Sequence, residues 1–157
     1  MTINLGLSKS HVDRLCGISG EMYRHLYYDD KNARLSIGLF VSDLNEQMKK
    51  ALKPSSSPKP LFYQFSGHDN TLGPLVNALQ LEFDAPIHPA MGSGLLLEIW
   101  KDKNDGQHYF KYLYYEKETQ LQPVKMKQCS DYLCPLSILQ KRYAVLIPVD
   151  YEKECKI

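Results

Sequence analysis

The residues best suited to chemistry lie in one stretch, Ser66-Gly67-His68-Asp69-Asn70-Thr71-Leu72. A histidine can donate hydrogen bonds to a phosphoryl oxygen. An adjacent aspartic acid can, when protonated, hand a proton to a leaving alkoxide. The pair follows an aromatic-rich run, Leu61-Phe62-Tyr63-Gln64-Phe65, which reads as a strand. It precedes a helical stripe of Leu72, Leu75, Val76 and Leu79, with Asn70 or Thr71 as the expected cap. In open α/β sheets, ligands bind at the carboxyl ends of strands. A helix start there offers free N–H groups and a positive dipole end to an anion such as phosphate. Gly67 is expected to let the chain turn sharply between the two elements. By itself the pair is weak evidence, because an Asp ahead of a helix most often only caps it.

The surrounding elements must hold this turn in place. Residues 8–31 read as a helix whose apolar positions Leu15, Ile18, Met22 and Leu26 recur at helical spacing, with Ser8 or Ser10 as cap. A second helix is expected over residues 35–52, with Leu35, Leu39, Leu44 and Met48 on one face and Lys49 and Lys50 near its negative end. The Pro- and Ser-rich segment at residues 53–60 cannot continue a helix and reads as a loop. Residues 85–94 form another loop. Two strands follow, at residues 95–101 and 108–115, joined by a turn containing Asp105-Gly106. The tail carries a short helix candidate at residues 135–141, then an extended stretch, Val145-Leu146-Ile147-Pro148-Val149. The domain reading is a single α/β unit over residues 1–157: a helical part at 1–52, then a strand-helix unit, a hairpin and a Cys-containing tail at 61–157.

Composition narrows the function classes. Of 157 residues, 43% are apolar and 24% charged, which fits an ordinary folded domain. The net charge of +1 gives no basic footprint for nucleic acid. No apolar run approaches the roughly 20 residues of a membrane span. The residues from Met1 to Ser10 have no basic leader or apolar core, so no signal peptide is expected, and these features alone point to the cytosol. The cysteines Cys16, Cys129, Cys134 and Cys155 have no second close pair and no nearby His, which disfavours zinc; no metal or cofactor is expected. Two readings of them stand: a local Cys129–Cys134 bridge, which belongs in an oxidising compartment, or four unlinked thiols.

Ser66 to Leu72 resembles the second signature of the histidine acid phosphatases, a His-Asp pair commonly followed by Thr-Thr and an apolar residue. The likeness extends along the chain. Arg34-Leu35-Ser36-Ile37-Gly38 and the helix after it resemble the segment before that signature in animal members. Leu95 to Trp100 and Tyr109 to Tyr115 resemble the hairpin after it. Cys134-Pro135-Leu136, Val145 to Tyr151 and Cys155 resemble the family's closing run around Val-Ile-Pro-x-Asp-Trp and a final Cys. The resemblance covers roughly residues 20–157, the C-terminal part of such an enzyme.

The resemblance implies a histidine phosphatase fold, a mixed sheet flanked by helices with helical cap elements, here expected to be incomplete. It implies phosphomonoester hydrolysis through a phosphohistidine, with Asp69 as proton donor and His68 stabilising the transferring phosphoryl group. It implies a Cys129–Cys134 bridge, with Cys155 unpaired or bound to Cys16. A lysosomal or extracellular location follows, as does a homodimer for a full-length member.

The family nucleophile is the His of an Arg-His-Gly-x-Arg motif, and nothing in these residues matches it. Tyr23-Arg24-His25-Leu26 lies mid-helix without the glycine, and His25 reads as an ordinary helical residue. Arg14, Arg24, Arg34 and Arg142 sit in no matching context. His11 and His108 have no motif around them; His88, in a loop near the presumed site, is weakly interesting. Three functional readings follow: a piece of an acid phosphatase, a short non-catalytic paralogue that binds phosphate or a partner, or a half-enzyme completed by another chain.

Overall fold

The computed structural model describes residues 6–54, 60, 62–85, 87–116 and 120–156. Two long helices open the chain, α1 (Lys9–Tyr27) and α2 (Asp30–Leu52). Ser8 caps α1 through the His11 N–H, and the His11 ring returns to the Ser8 backbone. Asp29 caps α2 by accepting from the Asn32 N–H, so this helix starts five residues ahead of the expected position 35. An Asp at the cap and another at the first helical position suit the positive dipole end.

Helix α3 (Asp69–Ala78) leads through Gln80, which has φ of 54°, into β1 (Leu81–Glu82). The hairpin pairs β2 (Gly94–Lys101) with β3 (His108–Tyr115) in full register, Gly94 opposite Tyr115 and Lys101 opposite His108. Gly106, at φ of 70°, supplies the left-handed residue that the turn needs. β4 (Gln122–Met126) and the short β5 (Cys134–Pro135) both pair with β3, and β1 pairs with β4. The sheet order is β1-β4-β3-β2, and every described pairing is antiparallel. Helices α4 (Leu136–Leu146) and α5 (Tyr151–Glu154) complete the fold. The class is α/β, as expected.

The core lies between α2, α3, α4 and the sheet. Leu136, Leu139, Tyr143 and Leu146 recur every three or four residues on α4 and are buried against Val41, Leu79, Phe110 and Met126. That stripe carries α4 past the expected end at residue 141 and takes in Val145 and Leu146, which are helical and not extended as expected. Only at Ile147 does the chain turn extended, with ψ of 120°, because Pro148 disfavours a helical residue before it. Gly38 lets α2 approach this point: a Cβ there would collide with the Leu146 carbonyl and the Pro148 ring. Cys129 and Cys134 form a disulfide beside β5, and both are buried. Cys16 and Cys155 are free and exposed. Among the described residues, no helix is long and apolar enough to cross a membrane.

Two further expectations are overturned. The strand at residues 61–65 begins at Leu61, outside the described residues, and residues 62–68 carry no strand pairing. A strand exists only through the ladder a neighbour supplies, and no described strand lies beside this run. Phe62 and Phe65 are accordingly exposed. The stripe of α1 is also reversed: Leu15, Ile18, Met22 and Leu26 are all exposed, while Gly20 and Tyr23 form the buried face. The periodicity is helical, but α3 packs on the side that carries Gly20 and Tyr23.

Candidate active site

The His-Asp pair sits at the start of α3. His68 is the cap residue, extended at φ −109° and ψ 177°, and its carbonyl accepts from the Thr71 and Leu72 N–H groups at 3.0 Å each. Its imidazole makes no capping hydrogen bond. Asn70 and Thr71 therefore lie inside the helix, not at its cap. Gly67 does not take a left-handed conformation. Its value is closeness, since a Cβ there would come within 3.1 Å of the Thr71 side chain. Pro74 within α3 has no N–H to donate, so the Asn70 carbonyl loses its usual helical partner.

Both side chains border a cleft of about 1330 Å³, with Ser66, Thr71 and His88 near them and Phe40, Leu44 and Phe65 on its apolar wall. His68 is exposed, and the Asp69 side chain is about half exposed at 47%. An open carboxyl group at a helix start, beside an imidazole, can meet an anionic ligand and exchange a proton with it.

Helix α1 reaches this site through one close contact. A Cβ on Gly73 would fall 2.8 Å from the Tyr23 ring, so only glycine lets that ring lie on α3. Tyr23 then donates its hydroxyl to Asp69 Oδ2 at 3.4 Å. Burial and the Asp69 carboxylate hold the Tyr23 phenol above its ordinary range, so it remains a donor. His88 stacks on the Tyr23 ring, with centroids 5.8 Å apart and planes 5° from parallel. Its Nε2 lies 3.8 Å from Asp69 Oδ2, and its Nδ1 shares a 2.9 Å hydrogen bond with Ser19 Oγ.

The structure thus brings His68, Asp69 and His88 together. It leaves His11 at the α1 cap and His25 exposed in the last turn of α1; His108 is among the residues that line the cleft. Tyr23 and Ser19 were missed from sequence. Their spacing of four residues on one helix face was visible, but its relevance depends on a glycine 50 positions later. Arg142, which had no motif, is a buried strut: Nε donates to the Ala78 carbonyl at 2.7 Å and Nη1 pairs with Asp30 at 2.7 Å.

Residues 17–115, well over half of the chain, match the histidine phosphatase superfamily (branch 2). The chain belongs to that family. A probable acid phosphatase of Dictyostelium discoideum is 29% identical over 175 residues, covering 100% of this chain and 37% of that protein. Human prostatic acid phosphatase is 31% identical over 134 residues, covering 83% of this chain and 32% of that protein. Lysosomal acid phosphatase of Xenopus laevis is 29% identical, covering 80% of this chain and 28% of that protein. The chain therefore spans about a third of the length of these relatives. The fold is similar to that of a phytase from Citrobacter braakii, with a TM-score of 0.62 at 15% identity, covering 96% of this chain and 44% of that one.

Proposed function

We propose that this chain provides the His-Asp half of an acid phosphatase site that hydrolyses phosphomonoesters through a phosphohistidine. The observation that carries the reading is the position of His68 and Asp69, adjacent at the start of α3 and open to a cleft, in a chain of the histidine phosphatase family. A nucleophilic histidine from outside these 157 residues attacks phosphorus while Asp69 gives its proton to the departing alkoxide. Water then attacks the phosphohistidine, and the Asp69 carboxylate recovers a proton. His68 donates to the phosphoryl oxygens throughout. The Cys129–Cys134 disulfide supports a lysosomal or extracellular setting.

The test uses an enzyme in which this chain is joined to the Arg-His-Gly segment of a relative. Asp69→Asn keeps the shape but removes the transferable proton. It should lower the rate on alkyl phosphates by about 10²–10⁴-fold, and much less on phosphates of acidic phenols. His68→Ala should hurt both substrate classes alike. Equal losses for both classes in Asp69→Asn would remove Asp69 as proton donor.

One observation favours a second reading: these residues hold no Arg-His-Gly-x-Arg stretch. The chain by itself would then bind phosphate or a partner without turnover, or act as a half-enzyme completed by another chain. Hydrolysis by the isolated chain that is abolished by His68→Ala would sink this alternative.

A further inference from the structure

We infer that Tyr23 and His88 are positioning residues for Asp69, fixing its Oδ2 so that the transferable proton resides on Oδ1. The inference rests on the reading of Asp69 as proton donor, and it adds which oxygen acts and what holds it.

Both neighbours address the same oxygen. The Tyr23 hydroxyl lies 3.4 Å from Oδ2 and His88 Nε2 lies 3.8 Å from it. The first is a hydrogen bond; the second is an electrostatic contact, too long for a good hydrogen bond. The two rings are themselves fixed. Tyr23 lies against Gly73 and also stacks with the His88 ring. Ser19, one turn before Tyr23 on α1, holds His88 at Nδ1. When Ser19 Oγ–H donates to Nδ1, the neutral ring carries its proton on Nε2, the nitrogen nearest Asp69. A protonated Asp69 with a donor at Oδ2 keeps its own proton on Oδ1. During leaving-group departure that proton moves to the alkoxide oxygen as the P–O bond breaks. The carboxylate so formed is met at Oδ2 by the Tyr23 O–H at 3.4 Å, with His88 Nε2–H at 3.8 Å close enough to shorten onto the new charge. A carboxyl group bonded at one oxygen by Tyr23 and flanked there by His88 keeps the other oxygen aimed, which is what proton transfer within a short reach requires.

The test is nuclear magnetic resonance of the full 157-residue chain, read at the ring nitrogens of His88 and the carboxyl carbon of Asp69. At a pH where the ring is neutral, His88 is expected in the Nε2–H form, and Ser19→Ala should convert it to a mixture of both forms. Asp69→Asn should displace the His88 ring signals while those of His11, His25 and His108 stay in place. Tyr23→Phe, which keeps the stack, and His88→Ala should each move the Asp69 carboxyl signal. His88→Gln, which retains a donor, should restore it in part. His88 signals that ignore Asp69→Asn, or an Asp69 signal that ignores both Tyr23→Phe and His88→Ala, would overturn the assignment. These spectra need no turnover. A failed leaving-group test beside positive spectra would refute the proton-donor role while leaving the coupling of the three residues intact, and the converse would refute only the positioning.

Discussion

The C-terminal side of the molecule and the cleft side are built on different terms. Along α4, Leu136, Leu139, Tyr143 and Leu146 are buried nearly completely, the disulfide includes Cys134 of β5, and Arg34 grips Glu154 with two nitrogens. Around the cleft, α1 turns five large apolar side chains to solvent and Asp69 is half exposed. The first region holds itself together; the second leaves a cleft open and an apolar stripe of α1 exposed. Local stability is therefore expected to fall from α4 toward α1.

Substitutions on the two helices provide the strongest test of that contrast. Leu139 is fully buried on α4, and Leu139→Ala should cost about 2–5 kcal/mol, as for other core leucines. Leu15 on α1 is 56% exposed, and Leu15→Ala should lie within about 0.5 kcal/mol of the parent. Urea unfolding of both variants gives the comparison. Equal losses would mean that the exposed α1 stripe is covered in solution, and the contrast would fail.

Gly38 probes the same region by overfilling it. Gly38→Ala places a methyl group against the Leu146 carbonyl and Pro148, so α2 and α4 must part. A loss of about 1–3 kcal/mol is expected. The corresponding close approach on the cleft side is Gly73. Gly73→Ala should move the Tyr23 ring and so disturb Asp69 as well as stability. If Gly38→Ala disturbs the Asp69 signals as much as Gly73→Ala does, the two regions are not separable.

Reduction of the Cys129–Cys134 bridge should have an intermediate effect. It closes a loop of only 5 residues, so chain-entropy arguments give about 2 kcal/mol. Thermal melts with and without reductant measure it. The loss should appear in the α4 region, with the His88 signals unchanged.

The same contrast explains what could be read from residues alone. The helix at the His-Asp pair was legible through its local stripe of Leu75, Val76 and Leu79, but its cap was not, being His68 and neither Asn70 nor Thr71. The hairpin was legible too, its Gly106 having the left-handed conformation that its place in the turn demands. The strand at residues 61–65 was not, because pairing is a property of a neighbour. Leu15, Ile18 and Met22 show the same limit in a helix: periodicity reveals a face, and only packing reveals which face is covered. His88 looked isolated because its partners, Ser19 and Asp69, are 69 and 19 residues away in the chain. Tyr23 carried no signal at all, since a tyrosine on a helix is ordinary until the glycine it lies on is known.

The smallest expected effect is a dependence on acid. Glu154 accepts from Arg34 Nε at 2.5 Å and Nη2 at 2.9 Å, and from the Val149 N–H at 2.8 Å. Chiefly through the Arg34 hydrogen bond, and then through the backbone donors Val149 and Asp150, its carboxyl falls from an ordinary 4.5 to about 2. A carboxyl depressed in the folded state binds its proton more readily in the unfolded chain. Its contribution is therefore fully present above about pH 4.5 and is lost as the pH falls toward 2. Unfolding free energies measured across that window should decline, and Glu154→Gln should flatten part of the decline while leaving stability near neutral pH somewhat lower. Arg34→Lys keeps the charge but loses the two-pronged grip, so it should give an intermediate slope. Glu46 serves as the control. Lys49 also lowers its carboxyl, but the pair is exposed on α2 and solvent screens it, so Glu46→Gln should change the acid limb less. An acid limb identical in Glu154→Gln and the parent would mean that the α5 clamp opens before global unfolding. The firmly held region would then end at α4, short of the C-terminus.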